Sequence, residues 1–490
     1  MALLFGMSLA QTDDADVYYE IFVRSFQDSD GDGVGDLPGV IERLDYLQDL
    51  GVTGIWLMPL HPSPSYHGYD VTDYYEINPD YGTLEDFERL AAEAEARDMD
   101  IIVDLVVNHS SSEHPWFLDA EAEGEFRDFY SWREDNPGWR GTGGDSAWHS
   151  SGGDYYLGLF WSEMPDLNYQ NPEVVAEMEE VARFWLGRGA DGFRVDAIQH
   201  IFESEDGNIR SQPETFAWLE EFEAFIKTVN SDAFIVGETW TDTGTIVKYH
   251  QDGNLDMSFN YPLWGAILES ISSRSASDIS VTLEQDEQLY PAGTQRGTFI
   301  SNHDQIRPGT SLSALRRDEA RLKLAAGLLL TLPGTPFIYY GEEIGMPNGE
   351  GGADEEKRTP MLWDKSKNFG FSEAAPWYAF STDDEAITVE TQVADSDSVL
   401  NFYKTFIDLR TTNPALYAGT TEVLETEERA LLAVKREAEG QSLLVVANLG
   451  GNDMELDAAA LDAADATDLV TGEAVGDILM GLEVKVLELE

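Results

Sequence analysis

The chain contains no cysteine, so neither disulfide bonds nor thiolate chemistry contribute to its structure or function. Basic residues are also scarce: 30 Lys and Arg stand against 93 Asp and Glu, which gives a formal net charge of −63. A negative field of that size argues against partners such as nucleic acids and anionic membrane surfaces. No apolar run approaches the length of a membrane span.

The acidic excess does not indicate disorder, because 42% of the residues are hydrophobic and 11% are aromatic, which is enough for a packed core. We therefore expect an acidic surface adapted to high salt, where counterions screen the repulsion between carboxylates. The length of 490 residues allows one large domain with additions, or two to three domains of ordinary size.

The N-terminal stretch MALLFGMSLAQTDD is a short apolar run that ends in Ser-Leu-Ala before polar residues. It resembles the end of a secretory signal with its cleavage site, although it lacks a basic front part. A frayed terminus is the alternative. A secretory signal would imply a secreted, extracellular protein. A cytoplasmic location is the other possibility.

Short apolar runs alternate with helical patterns along most of the chain. Strand–helix alternation predicts a parallel sheet with right-handed crossovers. Eight such units favour an α/β fold, the closed (β/α)₈ or TIM barrel, with an open doubly wound sheet as the alternative. The predicted strands cover residues 17–23, 54–60, 101–107, 192–197, 233–238, 255–261, 297–303 and 335–341.

Two segments depart from this alternation. Residues 110–169 have few helical repeats and many Gly, Ser, Asp and Trp residues, which indicates a small domain inserted after the third strand. From residue 417 onward, alternating apolar positions separated by turns predict a C-terminal antiparallel β-sandwich. The predicted domains are a barrel over 13–109 and 170–416, an insertion over 110–169 and a sandwich over 417–490.

The predicted fourth strand, GFRVDA, contains two charged residues. Because alternate side chains of a strand point to opposite faces, Arg194 and Asp196 share one face, and the apolar residues share the other. Arg194 is expected to lower the pKa of the Asp196 carboxyl group and to fix its rotamer.

Polar residues also end three other predicted strands, where (β/α)₈ barrels carry their functional groups. Because isolated buried charges are costly, such a set favours a functional site, with a salt-bridge network that stabilises the barrel as the alternative. The residues are Asp104, Asn108 and His109 in DLVVNHS, Glu238 in GETW, and His303 and Asp304 in FISNHD.

Paired carboxylates at one mouth have the composition needed to cleave a glycosidic bond. One carboxylate must be ionised to attack the anomeric carbon, and the other must be protonated to release the leaving group. Neighbouring negative charges raise the pKa of a carboxyl group, which suits Glu238 for the second role. These residues therefore indicate cleavage of a glycosidic bond by a pair of carboxyl groups.

The motifs DLVVNH, GFRVDA, GETW and FISNHD occur in the order and at the spacing found in the α-amylase family of glycoside hydrolases, which the chain resembles over nearly its whole length. The resemblance implies that the insertion and the sandwich are the family's domains B and C. It implies a two-step displacement that retains configuration, with Asp196 as the nucleophile, Glu238 as the general acid/base and Asp304 as the stabiliser of the transition state. The substrate-binding residues that we expect are Tyr69 and Asp70 of HGYDVTDYY, His109, Arg194, His200, Trp240 and His303.

The stretch DSDGDGVGD carries carboxylates at positions 28, 30, 32 and 36, with Gly at the bends. The spacing resembles an EF-hand loop without its final bidentate Glu, and oxygen ligands favour Ca²⁺. An acidic loop without a metal is the alternative. The family resemblance implies a bound Ca²⁺ with Asp28, Asp30, Asp32, Asp36 and the carbonyl oxygen of Val34 as ligands.

The resemblance leaves several activities open. Ala197, directly after the nucleophile, is associated in glucosidase-like relatives with α-1,4 rather than α-1,6 bonds. We expect a retaining α-1,4-glucan hydrolase, an α-amylase acting on starch and maltooligosaccharides. Asp70 favours the alternatives, an exo-acting α-glucosidase or a transglycosylase such as trehalose synthase. A non-catalytic sugar-binding scaffold is the alternative from another class. We expect a monomer whose partner is an α-glucan or maltooligosaccharide.

Overall fold

A computed structural model describes residues 15–253, 255–291, 293–312, 318–438 and 440–489. The signal-like stretch at the N-terminus lies outside these ranges. Within them, no helix combines the length and the apolar character needed to cross a lipid bilayer.

Eight parallel strands close into a barrel in which each strand pairs with its neighbours in the sequence. Closure occurs because the first strand pairs with both the second and the last. The predicted (β/α)₈ barrel is thereby confirmed, and the open doubly wound sheet is wrong. Barrel strands 1 to 8 are Tyr18–Ile21, Gly54–Leu57, Asp100–Leu105, Gly192–Val195, Phe234–Gly237, Met257–Phe259, Gln295–Thr298 and Thr335–Tyr339.

The strands are shorter than the apolar runs that predicted them. Barrel strand 7, for example, ends at Thr298, whereas its apolar run continues to His303. Residues beyond each strand leave the hydrogen-bond ladder and turn over the end of the barrel. Asp196, Glu238 and Asp304 therefore lie in the loops that directly follow strands 4, 5 and 7.

The alternation predicted for GFRV is present in the barrel. Phe193 and Val195 belong to the large apolar cluster that fills the space between the strands and the helices. Arg194 points the other way, with its guanidinium carbon 5.2 Å from the centre of the Trp56 ring. Trp56 belongs to a separate aromatic-rich cluster that includes Phe259 and Phe337 of other strands.

Helices cover the outside of the barrel and present apolar stripes to it. The helix Leu84–Glu95 is representative: Thr83 and Asp86 form a capping box at its start, and its buried residues recur at helical spacing. The α-helices of the described residues are Leu37–Glu42, Leu44–Leu50, Leu84–Glu95, Pro115–Glu121, Pro172–Leu186, Pro213–Val229, Thr243–Ile246, Tyr261–Ser273, Ser277–Leu289, Pro308–Ser311, Glu319–Thr331, Val389–Val393, Val399–Thr412 and Pro414–Tyr417.

The segment between barrel strands 3 and 4 contains a small antiparallel sheet. Its strands are Trp132–Arg133, Trp148–Ser151 and Asp154–Leu157, with the last strand in the middle. Two isolated β-bridges join distant parts of this segment. His109, where the segment begins, pairs with Asp166 near its end, and Tyr130 pairs with Leu167. The insertion is thereby held against the C-terminal mouth of the barrel.

The C-terminal part is an antiparallel β-structure, as predicted. A separate apolar cluster that includes Leu444, Val446 and Leu479 joins its two sheets, and the opposite face of the larger sheet packs against the barrel helices through Val445 and Val486. The larger sheet contains, in spatial order, Thr420–Val423, Leu431–Ala438, Gln441–Asn448, Val484–Glu488 and Thr467–Asp468, and the smaller one Met454–Glu455 and Ile478–Leu479.

Candidate active site

Arg194 is the centre of the polar cluster at the C-terminal mouth of the barrel. Its Nη1 donates hydrogen bonds to Oδ1 of Asp196 at 2.6 Å and to Oδ1 of Asp104 at 2.9 Å. Its Nη2 lies 3.0 Å from Oε2 of Glu238. Since the three carboxylates come from neighbouring barrel strands 3, 4 and 5, one guanidinium places Asp196 and Glu238 side by side.

Both members of this carboxyl pair are hard to ionise. Burial raises the pKa of Glu238, and the negative charges of Asp196 and Asp304 add to that effect, while Arg194 opposes it. Burial likewise raises the pKa of Asp196, and Arg194 only partly offsets the increase. Arg194 thus lowers the pKa of Asp196, as expected from the sequence, but burial and the negative charge of Asp104 outweigh it, so the net pKa is about 6.

Asp304 has the opposite electrostatic environment. Its Oδ2 lies 3.2 Å from Nε2 of His303, and its Oδ1 accepts a 3.0 Å hydrogen bond from Nη2 of Arg358. Burial by itself would raise the pKa of Asp304, but the two cations hold that pKa well below its ordinary value. Asp304 is therefore the carboxylate that stays ionised throughout the neutral range.

His303 and Tyr69 connect Asp304 with the Arg194 cluster. Nε2 of His303 lies 2.8 Å from the hydroxyl group of Tyr69, which in turn donates to Oδ2 of Asp104 at 2.9 Å. The two rings stack with centroids 5.5 Å apart. Since Tyr69 is held by a ring contact and two hydrogen bonds, it is a rigid platform beside the catalytic carboxylates.

His109 and His200 are neutral imidazoles on the other side of the site. Burial lowers the pKa of His109 to about 3 and that of His200 to about 4. Both rings pack against Phe160, at centroid distances of 5.3 Å and 5.5 Å. Nδ1 of His200 donates to the carbonyl oxygen of Ile209 at 2.8 Å, which leaves Nε2 of His200 as a hydrogen-bond acceptor.

Asp70 lies next to Tyr69 but is already engaged by its own loop. It is 2% exposed, and its Oδ1 accepts a 2.5 Å hydrogen bond from the hydroxyl group of Ser63 and a second one from Ser65. Nδ1 of His67 lies 3.9 Å from the same oxygen. These contacts fix the Asp70 side chain beside the platform.

A cavity of about 430 Å³ opens beside Glu238. Trp240, which is 44% exposed, forms one wall, and its ring stacks on Tyr261 with centroids 5.0 Å apart. The hydroxyl group of Tyr261 lies 3.5 Å from Oε1 of Glu238. The lining residues are Thr142, Gly143, Phe160, Ala197, Gln199, His200, Arg210, Glu238, Trp240 and Asp304.

Ala197 has a left-handed backbone conformation, with φ 48° and ψ 30°. Non-glycine residues rarely adopt this conformation, and it is found disproportionately at functional sites. The backbone N–H of Ala197 donates to Oε2 of Glu238 at 2.9 Å. The strained residue that follows Asp196 therefore orients Glu238.

The acidic loop after barrel strand 1 gathers three of its four carboxylates. Single oxygen atoms of Asp28, Asp30 and Asp36 lie within 4.8 Å of one another. The exposed Asp32 is not part of that group, and its Oδ1 accepts from the backbone N–H of Val34 at 2.8 Å. Asp36 also caps the helix Leu37–Glu42.

This donor set fits a hard cation. Asp28 and Asp36 are both 6% exposed. In the described part of the chain, the two carboxylates accept hydrogen bonds from backbone amides and from the hydroxyl groups of Ser29 and Ser372, none of which carries a positive charge. Two buried carboxylates without a cationic side chain are expensive, and a divalent ion with oxygen ligands removes that cost.

Two contributors to the site were not predicted from the sequence. Glu20 of barrel strand 1 accepts a 2.6 Å hydrogen bond from Nδ1 of His303, and Arg358 binds Asp304 from the long loop after barrel strand 8. The signal for Glu20 was present, because it is a lone carboxylate inside the apolar run VYYEIFV. Arg358 has no such signal in its surroundings.

The closed (β/α)₈ barrel presents two adjacent carboxyl groups on one guanidinium, and a third carboxylate lies nearby. This arrangement is typical of glycoside hydrolases that act through two carboxyl groups. Comparison with known proteins assigns the chain within that class. Residues 20–419 match the family model described as "Alpha amylase, catalytic domain". The chain belongs to the α-amylase family, as its motifs predicted.

Individual relatives carry several activities. The chain is 40% identical to "Alpha-amylase 3" of Dictyoglomus thermophilum, a match that covers 88% of this chain and 84% of the relative. It is 35% identical to a "Trehalose synthase/amylase" of Mycobacterium tuberculosis, over 88% of this chain and 81% of that protein. A crystal structure of an alpha-amylase from H. orenii superposes with a TM-score of 0.87 at 38% identity and covers 97% of this chain and 99% of its own.

Proposed function

We propose that this chain is a retaining α-amylase that cleaves α-1,4-glucosidic bonds of starch and maltooligosaccharides. The observation that carries the proposal is the contact of Arg194 with both Asp196 and Glu238, next to an open cavity of about 430 Å³ on the Glu238 side. The similarity to proteins named alpha-amylase supports it.

In the proposed mechanism, a glucosyl unit lies on Tyr69. Glu238, whose pKa is raised, protonates the glycosidic oxygen while Asp196 attacks the anomeric carbon. The ionised Asp304 stabilises the positive charge that develops on the sugar ring. Glu238 then removes a proton from water, which displaces Asp196 and releases the sugar with retained configuration.

The cavity beside Glu238 is on the side that receives the leaving group, because Glu238 protonates the leaving oxygen. Trp240 presents an exposed aromatic face there, a surface suited to the apolar face of a sugar ring. Thr142 and Gly143 bring the insertion to the same cavity. This arrangement favours substrates that continue beyond the cleaved bond.

An exo-acting α-glucosidase or a transglycosylase is the second candidate. The relative named trehalose synthase/amylase favours it, whereas the carboxylate of Asp70, the sequence feature that suggested it, is 2% exposed and bonded to Ser63 and Ser65. Transglycosylation needs no further catalytic group, since a second sugar in place of water would displace Asp196.

The product profile separates these activities. We would incubate the enzyme in molar KCl with Ca²⁺ and a maltoheptaose blocked at its non-reducing end, with Asp196→Asn as the inactive control. Internal cleavage into mid-length fragments is the expected result. Cleavage of the unblocked sugar alone, with release of glucose, would establish an α-glucosidase instead. Conversion of maltose to trehalose would establish the transglycosylase, and full activity of Asp196→Asn would refute the catalytic assignment.

We also propose that the loop of Asp28, Asp30 and Asp36 binds Ca²⁺, with Asp32 and the Val34 carbonyl as further ligands. Ser372 supports this assignment, because its hydroxyl group donates to Oδ2 of Asp28 at 2.5 Å and so ties the loop to the segment after barrel strand 8. The ion would hold these two segments together and would supply no step of the reaction.

A third proposal concerns salt. The net charge of −63 implies strong repulsion between surface carboxylates, which salt screens over about 3 Å at 1 M. We expect the melting temperature to rise steeply with KCl and the fold to be lost at low salt. A melting temperature that does not respond to KCl would refute this adaptation.

A further inference from the structure

Arg358, which binds Asp304, belongs to a part of the chain without long helices or strands. It lies in the connection from barrel strand 8 to the helix Val389–Val393, whose described residues form only short 3₁₀ turns and irregular segments. Arg194 is directed by its strand, whereas the direction of the Arg358 side chain depends on the groups that it contacts. Arg358 is 3% exposed, so those groups surround it almost completely.

All three nitrogen atoms of the Arg358 guanidinium have a hydrogen-bond partner. Nη2 donates to Oδ1 of Asp304 at 3.0 Å, and Nε donates to the carbonyl oxygen of His303 at 3.1 Å. Nη1 donates to the hydroxyl group of Tyr66 at 3.1 Å. Because a guanidinium is planar and rigid, a third partner fixes its rotation about the other two contacts. Tyr66 supplies that partner from the loop after barrel strand 2.

Tyr66 is in turn held by an aromatic stack. Its ring lies on the indole ring of Trp377, with centroids 5.4 Å apart and planes 23° from parallel. Phe22 packs edge-on against both rings, at centroid distances of 6.4 Å and 6.0 Å. Since stacked and edge-on rings fix each other's orientation, the position of the Tyr66 hydroxyl group depends on Trp377.

Trp377 also reaches Arg358 by a second route, through Ser25. Nε1 of Trp377 donates to the hydroxyl group of Ser25 at 2.9 Å, and that hydroxyl group donates to the carbonyl oxygen of Arg358. The main chain of Trp377 is fixed as well, because its N–H donates to the carbonyl oxygen of Gly33 at 2.8 Å. Trp377 thus supports both the side chain of Arg358, through Tyr66, and its main chain, through Ser25.

We propose that Tyr66 and Trp377 are positioning residues for the reaction: they direct Arg358, and Arg358 holds Asp304 where positive charge develops on the sugar. Neither residue has to touch the substrate for this effect. The inference rests on the proposed role of Asp304 as the stabiliser of the transition state. A carboxylate serves that role best when it is fixed in advance, because it then needs no rearrangement during the reaction.

A displaced Asp304 should affect the transition state more than the bound substrate. The substrate is neutral, whereas the transition state carries positive charge on the sugar ring. Loss of an interaction that is made only in the transition state lowers kcat and leaves KM unchanged. Changes at Tyr66 and Trp377 should therefore act on kcat, in contrast to loss of a residue that binds a sugar ring, which raises KM.

Single variants test this expectation with maltoheptaose, in molar KCl with Ca²⁺. Tyr66→Phe keeps the stack but removes the acceptor for Nη1 of Arg358, so kcat should fall about fivefold. Trp377→Ala removes the stack and the bond to Ser25, so kcat should fall at least about tenfold. Trp377→Phe restores an aromatic face and should recover most of that loss. KM should stay at the wild-type value in all three.

Tyr378→Phe is the matched control. It removes a phenol hydroxyl group from the residue next to Trp377, but that group donates to Oε1 of Glu356 at 2.8 Å and not to the Arg358 network. We expect wild-type kcat. The double variant Tyr66→Phe/Trp377→Ala adds a test of the route: if both residues act through Arg358, its kcat should equal that of Trp377→Ala alone.

Binding gives a readout that does not depend on turnover. Calorimetry compares 1-deoxynojirimycin, a glucose analogue with a protonated ring nitrogen, with the neutral sugar maltose. Since Asp304 attracts the positive charge, Trp377→Ala should weaken binding of the cationic analogue about tenfold and that of maltose less than about twofold. A merely structural role of Trp377 would weaken both ligands alike.

Asp304→Asn separates the failure of this inference from that of the proposed mechanism. If Asp304→Asn keeps the wild-type kcat and the affinity for the cationic analogue, the proposed role of Asp304 is wrong. If Asp304→Asn loses both while Tyr66→Phe and Trp377→Ala keep both, the positioning role is wrong and the mechanism stands. An increase of KM at unchanged kcat, or an equal loss of kcat in Tyr378→Phe, would also overturn it. Should Trp377→Ala fail to fold in urea titrations, Tyr66→Phe decides.

Discussion

Glu20 of barrel strand 1 accepts a 2.6 Å hydrogen bond from Nδ1 of His303 in the loop after barrel strand 7. Burial by itself would lower the pKa of His303, but Asp304 and Glu20 together raise it to about 10. His303 is consequently an imidazolium whose two nitrogens both donate, one to Glu20 and the other toward Asp304 and Tyr69.

Glu20→Gln removes one of the two carboxylates that stabilise this imidazolium. We expect the pKa of His303 to fall by at least one unit, and kcat/KM to fall about tenfold, or about 1.4 kcal/mol, because Tyr69 and Asp304 lose a fixed donor. NMR titration of ¹⁵N-histidine-labelled enzyme measures the pKa, and His303→Gln identifies the signal. An unchanged pKa of His303 would contradict the assignment.

Ala197 gives a prediction about backbone strain. A β-branched residue is especially unfavourable at φ 48°, so Ala197→Val should lower the free energy of unfolding by about 1–3 kcal/mol. It should also lower kcat, since the N–H of residue 197 holds Glu238. Ala197→Gly, which relieves the strain, should be neutral or stabilising by up to about 1 kcal/mol. Urea unfolding at fixed KCl gives the free energy of unfolding of each variant. Equal stability of Ala197→Val and Ala197→Gly would show that residue 197 is not strained.

Trp240 gives a prediction about substrate affinity. Trp240→Ala removes an exposed ring that lines the cavity beside Glu238, so KM for long maltooligosaccharides should rise about tenfold, or about 1.4 kcal/mol. The effect should shrink for substrates that end at the cleaved bond. Trp161, which is 50% exposed but does not line the cavity, serves as the matched control. A similar KM increase in Trp161→Ala would mean that the effect is not specific to the cavity.

Removal of the proposed metal should destabilise the fold. With EDTA the melting temperature of the wild type should fall, and added Ca²⁺ should restore it in a saturable manner. Asp28→Asn should lose this response to Ca²⁺. Asp45→Asn makes the same charge change at a surface position, where Asp45 pairs with Arg97, and it should keep the response. A wild-type melting temperature that is the same with EDTA and with Ca²⁺ would exclude the site.

Glu342 predicts how stability depends on pH. It is 3% exposed and accepts hydrogen bonds from Ser301 and Tyr403, and burial raises its pKa from 4.5 to about 8. The folded state therefore binds a proton that the unfolded state releases at a lower pH. The contribution of the protonated Glu342 to the free energy of unfolding is complete below about pH 4.5 and is lost as the pH rises through about 8.

Glu342→Gln should flatten this dependence between those two pH values, because the amide does not titrate. Urea unfolding at several pH values and constant KCl gives the slope. Glu180→Gln, a change at an exposed position of the helix Pro172–Leu186, is the control and should keep the wild-type slope. If Glu342→Gln also keeps that slope, the buried carboxyl group does not titrate in this range.

The parts of the site that could be predicted from sequence are those determined by local periodicity. The alternation in GFRVDA gave the inward orientation of Arg194, and the ends of apolar runs located Asp196, Glu238 and Asp304. Contacts across the barrel were not predictable in this way. Glu20 and Arg358 reach His303 and Asp304 from positions far away in the chain, and no local pattern encodes that pairing.

The pKa of Asp196 illustrates the same limit. A strand pattern shows that Arg194 is a neighbour, but it does not show that Asp104 and Glu238 bind the same guanidinium. The sign of the shift depends first on burial and then on the neighbouring charges, both of which are properties of the assembled barrel. The engagement of Asp70 by Ser63 and Ser65 is likewise a matter of loop geometry.

Closure of the barrel also has a consequence for synthesis on the ribosome. The His303–Asp304 pair is held by Glu20, which emerges early, and by Arg358, which emerges late. A nascent chain therefore cannot complete its catalytic centre until barrel strand 8 and the loop that follows it have been translated. Premature termination before that point should yield fragments without hydrolytic activity, so incomplete products of translation contribute no catalysis.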